Sequence, residues 1–157
     1  MTAAPPPVLL VADRTDLDRL LPFVRDYHAF EEIQRSDDER RASLAPLLGE
    51  NPLGRIWLIM EADELVGYIA LCFGYSIEFG GRDAFVDEFF LSEGARGRGL
   101  GSRVLAAIRQ TATELGIVAL HLEVARSNSK ARRFYETLGF TARDRYHLMS
   151  CRLGIGA

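Results

Sequence analysis

The spacing of apolar residues changes twice along this chain. After an Ala/Pro start, "VLLVA" (8–12) is a short apolar run that reads as a strand. Behind it Leu17, Leu20, Leu21, Val24, Tyr27 and Phe30 recur three or four residues apart, which is one face of a helix, with Thr15 placed to cap it and Pro22 an awkward interior residue. Ser36, with Glu39 three positions on, has the pattern of a capping box, and it opens a second short helix that Gly49 stops. The period then shortens. Residues 56–91 hold three runs rich in β-branched and aromatic residues, 56–60, 65–75 and 84–91, separated by the turn signals "EADE" and "GGRD", which predicts an antiparallel meander.

From Leu100 the helical spacing returns at Val104, Leu105, Ile108, Ala112 and Leu115, and Gly116 ends it. A strand over 117–124, a helix over 129–139 closed by Gly139 and a last strand over 146–153 complete the series. Strand, helix and strand in succession imply a right-handed parallel crossover. The expected architecture is therefore α/β, an α+β mixed sheet: two N-terminal helices, an antiparallel meander, then β-α-β-α-β. Residues 1–7 read as a mobile tail and 8–157 as a single domain, since 157 residues suit one hydrophobic core better than two.

Composition narrows the function classes. Hydrophobic residues make up 48% and charged residues 26%, the balance of an ordinary globular protein. A net charge of -3 speaks against a nucleic-acid partner, because a basic footprint should show in the total or in one segment. No apolar run is long enough for a membrane helix, and "MTAAPPPVLL" lacks the features of an export signal, so the expected location is the cytoplasm with no membrane partner. Cys72 and Cys151 both fall in apolar, strand-like runs and read as buried free thiols. His28, His121 and His147 are scattered without metal-ligand spacing, so no metal site is expected.

One stretch carries chemistry. In "ARGRGLGSRVLAAI" three glycines and three arginines run straight into the helix that begins near Leu100. A helix N-terminus offers unpaired N–H groups and the positive end of its dipole, and glycines let an anion approach the backbone. With Arg96 and Arg98 adding charge, the junction suggests a diphosphate cradle. A P-loop string is absent, and the dinucleotide fingerprint is a near miss: Gly97 and Gly99 fit, Ser102 stands where a third small residue is needed, and Glu123 stands where an acid is.

The run "FVDEFFLSEGARGRGLGSRVLAAI", followed by "LHLEVARSNSKARRFYETLGF", closely resembles the two signature segments of the GCN5-related N-acetyltransferases (GNAT). Arg96, Gly99 and Gly101 match the family's diphosphate motif, and Asn128, Phe134, Tyr135, Gly139 and Phe140 match its second segment. The resemblance implies the GNAT fold, with strands 84–91 and 117–124 splayed as a parallel pair. It also implies acetyl-CoA as co-substrate, no metal, and direct attack of an amine on the thioester. The donor would be held by Phe89, Leu91, Arg96, Gly97, Arg98, Gly99, Leu100, Gly101, Ser102, Asn128 and Lys130. A backbone N–H near Leu91 would face the thioester carbonyl.

An amine with a pKa of about 10 must lose a proton before it attacks. Glu88 is the first choice of base and Asp87 the second, while Tyr135 matches the family's general acid for the departing thiolate. Glu31, Glu32, Asp37 and Asp38 lie where the family builds its acceptor wall, and "VDEFF" is similar to its polyamine and diamine branch. Both point to a small cationic amine bound through Glu31 and Glu32. Glu93 departs from the proline that many members carry. Two alternatives stand beside this reading: acetylation of protein or peptide amines, and a non-catalytic acyl-CoA sensor. A homodimer is compatible with all three.

Overall fold

A computed structural model describes residues 2–3 and 5–154, so Met1 and Ala4 of the expected tail and residues 155–157 of the expected domain lie outside it. The chain forms two compact units, one ending at Glu123 and the other beginning at Val124. The first unit is built on a five-stranded sheet in the order β1-β2-β3-β4-β5. The strands are β1 (Val8–Val11), β2 (Gly54–Glu61), β3 (Glu64–Ser76), β4 (Gly81–Leu91) and β5 (Ala119–His121). The first three junctions are antiparallel and β4–β5 is parallel, which is the mixed α/β sheet expected. Helices α1 (Leu17–Phe30), α2 (Asp37–Leu44) and α3 (Leu100–Glu114) belong to the same unit.

Leu20, Leu21 and Val24 of α1 and Leu44 of α2 bury against Ile56, Leu58, Tyr68, Ala70 and Phe90 on one face of the sheet. Each such side chain taken from water stabilises the fold by roughly 1.5–3 kcal/mol, which is why the apolar stripes decide where the helices lie. The alternate positions Trp57, Ile59, Ile69 and Leu71 are buried on the opposite face. The α3 stripe Leu100, Val104, Leu105, Ile108 and Ala112 is buried as well.

One irregularity in the sheet matters for function. Leu71 pairs with Val86 and Ala70 with Glu88, so Asp87 is an extra residue with no partner across the strand. Such a β-bulge reverses the alternation beyond it. Because Ala70 and Tyr68 face α1 and α2, their partners Glu88 and Phe90 face that way too. In a regular ladder, with Asp87 paired to Ala70, Glu88 would share the face of Val86.

Several expected features turn out otherwise. Thr15 does not cap α1; Asp13 caps a 3-10 turn, Arg14–Asp16, by accepting from the N–H and hydroxyl of Thr15, and that turn leads into the helix. Pro22 sits inside α1 on an exposed position, where water can take the carbonyl it leaves unpaired. The capping box Ser36–Glu39 forms as expected, with Ser36 N–H to Glu39 at 2.7 Å and the reciprocal bond at 3.2 Å.

The strand expected over 117–124 is only Ala119–His121, because its ladder with β4 holds for three residue pairs, Asp83–Ala119 to Phe85–His121. From Val86 onward β4 pairs with β3 alone, so the parallel pair parts there.

The second unit contains α4 (Ser129–Thr137), and no strand forms over 146–153. That segment is apolar enough for a strand, but Leu148, Met149 and Leu153 are exposed and it makes no strand pairing among the described residues. Propensity without a hydrogen-bonded neighbour does not make a strand. Cys151 is consequently exposed rather than buried, while Cys72 on β3 is half-buried, and both are free thiols.

Candidate active site

The bulge delivers Glu88 into a hydrogen-bonded chain beneath α1 and α2. The Tyr68 hydroxyl donates to Glu88 Oε1 at 2.8 Å, and His28 Nε2 lies 2.8 Å from Oε2. Arg40 Nε donates to His28 Nδ1 at 3.1 Å, and Arg40 Nη1 donates to Asp37 Oδ1 at 2.8 Å. Arg25 closes the outer end with a 2.7 Å bond to Asp37 Oδ2.

These bonds assign the imidazole tautomer. A guanidinium can only donate, so Nδ1 of His28 accepts, and its ring proton lies on Nε2, aimed at Glu88. Both oxygens of Glu88 therefore receive a donor from a buried neighbour: Tyr68 is fully buried and His28 nearly so.

The electrostatics suit a base. Withdrawal from water pushes the Glu88 carboxyl above the usual carboxylate range; the donors Tyr68 and His28 pull it back, and Asp87 adds to the rise. Loss of water also raises the more exposed Asp87, opposed by His28. Tyr68 is driven far up by burial and by Glu88, so it stays protonated and remains a donor. Cys72, across the strand from Phe85, is pushed up to about 11 by burial and by both acids, so its thiol is not a ready nucleophile.

A cavity of about 70 Å³ opens at this point, lined by His28, Arg40, Ser43, Asp87 and Glu88 together with apolar residues of α1, α2 and β3. That is several times the space one water needs. A group entering it meets both acids.

The glycine-arginine junction forms a loop and the start of α3. Gly97 and Gly99 have φ of 76° and 80°, the left-handed region, and a Cβ placed on either would meet nothing within 4 Å. No side chain caps α3, whose N-cap is Gly99. The first-turn amides of Leu100, Gly101 and Ser102 thus stand at an open, uncapped helix start, which fits a diphosphate. The arginines are otherwise engaged: Arg96 donates to the Leu91 carbonyl at 2.7 Å and stacks over Phe90, and Arg98 pairs with Glu61 at 2.6 Å. Phe89 is half-buried on β4, opposite Ile69.

In the second unit Asn128 is the N-cap of α4, its side chain accepting from the Ala131 N–H at 3.1 Å. Lys130 is exposed, and Tyr135 is half-buried with its ring edge-on to Phe134 and Phe140. Glu31 and Glu32 lie exposed beyond the end of α1 and do not line the cavity. Two residues that do line it, His28 and Arg40, were not singled out from the sequence. Both carried a signal: His28 continues the buried stripe Leu20–Leu21–Val24 by four residues, and Arg40 precedes buried Leu44 by four. Among the described residues no cluster of His, Cys, Asp or Glu could hold a metal ion, and no helix is long and apolar enough to cross a membrane.

Known proteins resemble this chain in sequence and fold. The family model described as acetyltransferase (GNAT) family matches residues 18–140. An uncharacterized N-acetyltransferase of Bacillus subtilis, YycN, is 33% identical over 115 residues, covering 73% of this chain and 72% of that protein. The thialysine N-epsilon-acetyltransferase of Sus scrofa is 29% identical over 144 residues, covering 85% of this chain and 82% of its own. Among solved structures, an integron cassette protein from a Cole Harbour salt marsh metagenome superposes with a TM-score of 0.80 at 34% identity, over 93% of this chain and 91% of that one.

Proposed function

Since the chain belongs to the GNAT acetyltransferase family and is an acetyl-CoA-dependent N-acetyltransferase, we propose that it acetylates a primary amine of a small cationic molecule, with Glu88 as the base. The observation that carries this reading is the Glu88 carboxylate: two donors hold it at the wall of a cavity whose other acid is Asp87. Acetyl-CoA supplies an activated acetyl group, and this chain's residues do the rest. The open start of α3, with Gly97 and Gly99, binds the diphosphate through backbone amides. Asp87 and Glu88 draw the ammonium of the acceptor into the cavity. Glu88 first takes one proton from the ammonium and passes it to solvent, which frees the nitrogen lone pair for attack. As the N–C bond forms and the C–S bond breaks, Tyr135, the match to the family's general acid, gives the departing sulfur a proton, and the second proton that the nitrogen releases restores Tyr135.

A raised carboxylate is suited to this task. A base whose pKa lies nearer the working pH accepts a proton more readily than an ordinary glutamate, provided it is still ionised at that pH. The Sus scrofa relative, named for an amine of an amino acid, supports an amine acceptor.

The reading is tested by incubating the protein with acetyl-CoA and a mixture of amines and analysing the products by mass spectrometry. The expected result is acetylated product from one or a few amines with an equal amount of free thiol. Acetyl-CoA binding without acetylation of any amine would contradict it and favour a sensor.

A further inference from the structure

We propose that Arg40 binds a carboxylate of the acceptor, so that the substrate is a free amino acid acetylated on a side-chain amine rather than a simple diamine. The proposal rests on the reading of Glu88 as the base at this cavity. Arg40 has a side chain only 11% exposed, and it lines the cavity with Asp87 and Glu88. Its donors are not all used. Nε is held by His28 and Nη1 by Asp37, but Nη2 has no hydrogen-bond partner among the described residues. Nor is Nη2 sealed off: the one fully buried side-chain nitrogen or oxygen without a partner among the described residues is Arg55 Nε.

The charge of Arg40 is also incompletely balanced. Among the described residues its one close ion pair is with Asp37, which is 43% exposed and shared with Arg25, whose Nε and Nη2 both donate to it, at 3.3 and 2.7 Å, while Glu39 acts on it only at longer range. Two guanidiniums on one solvated carboxylate leave a positive remainder, and His28, accepting at Nδ1, adds no negative charge. The cavity wall therefore carries both signs, two acids on β4 and a guanidinium with a free amino group on α2.

A diamine would satisfy the acids and set its second ammonium near a cation. An amino acid satisfies both walls, because a guanidinium recognises a carboxylate through charge-assisted N–H···O bonds. The spacing selects further. One imidazole ring and two hydrogen bonds separate Arg40 from Glu88, a gap that a side-chain amine can bridge and an α-amine, adjacent to its own carboxylate, cannot.

The test compares each basic amino acid with its decarboxylated counterpart: lysine with 1,5-diaminopentane, and ornithine with 1,4-diaminobutane. Thiol release is followed for the wild type, Arg40→Gln and Arg40→Lys. In the wild type kcat/KM should favour the better amino acid of the two over its diamine by about tenfold or more, as expected of a charge-assisted hydrogen bond, and chiefly through KM. Arg40→Gln should bring that ratio close to one, and Arg40→Lys should restore part of it. The ratio is internal to each variant, so general damage to the base cancels.

Equal rates for amino acid and diamine in the wild type, turnover of neither amino acid while other amines are accepted, or a preference that survives Arg40→Gln would each overturn the proposal. Glu88→Gln separates the two readings: it should slow every accepted amine alike, and if it slows none, the assignment of the base falls as well.

Discussion

Among single residues, the proposed chemistry depends most on how Glu88 is held. His28 is a positioning residue: Arg40 fixes its tautomer, and the resulting Nε2–H donates to the Glu88 carboxylate. The groups facing Glu88 are Tyr68 from β3, His28 from α1 and Asp87 from β4, and the two donors lower its pKa while Asp87 and burial raise it. Removing the His28 donor in His28→Phe should therefore raise the Glu88 pKa and move the acidic limb of the kcat/KM profile to higher pH. His28→Gln, which keeps a donor, should move it less. An unmoved limb in His28→Phe would show that the imidazole does not hold the base. The sequence marks Glu88 as a candidate by its place before the glycine-rich loop, but it does not mark the direction in which that side chain faces. A single extra residue, Asp87, decides which face it occupies, and nothing in "FVDEFF" marks a bulge.

At the scale of elements, the sequence was most legible where one signal settles the local structure. The capping box at Ser36 and the apolar stripe of α3 appear where the pattern put them. It was least legible where structure depends on a distant partner: residues 117–124 shrink to a three-residue β5 because the ladder with β4 ends at Phe85, and 146–153 has the composition of a strand but makes no strand pairing among the described residues.

The start of α3 allows a direct test of the loop. Gly99, at φ 80°, would become a strained position if given a side chain, at a cost of about 1–2 kcal/mol, and that side chain would project into the open space needed by the diphosphate. Saturating acetyl-CoA should raise the melting temperature of the wild type, since a ligand that binds only the folded form stabilises it by RT ln(1 + [L]/Kd). Gly99→Val should lose most of that shift while still folding. Gly94→Ala, in open space at a residue outside the left-handed region, should keep it. If Gly99→Val retains the full shift, the junction is only a turn.

At the scale of the whole molecule, family and reaction class could be read from residues 86–140, where the signature segments lie, and the match of the family model over residues 18–140 agrees. The cavity was less legible because its walls come from α1, α2 and the bulged β4, elements whose side chains meet only once folded: His28, Arg40, Asp87 and Glu88 line it, while Glu31 and Glu32, expected at the acceptor from their charge and their place in the resemblance, lie outside it.

The central claim, that this acetyltransferase deprotonates its acceptor with Glu88, is tested most directly by the ratio of wild-type to Glu88→Gln kcat/KM across pH with one accepted amine. Ionisation of the amine affects both proteins equally and drops out of the ratio. With the Glu88 pKa raised by burial, the carboxylate is present above that pKa and lost as the pH falls through it. If Glu88 is the base, the wild type should have an advantage of roughly 10²- to 10⁴-fold at neutral and alkaline pH, as expected of a positioned base, shrinking toward one as the pH drops below the Glu88 pKa, where a protonated glutamic acid resembles glutamine. A ratio near one at all pH values, or a large ratio that does not change with pH, would contradict it.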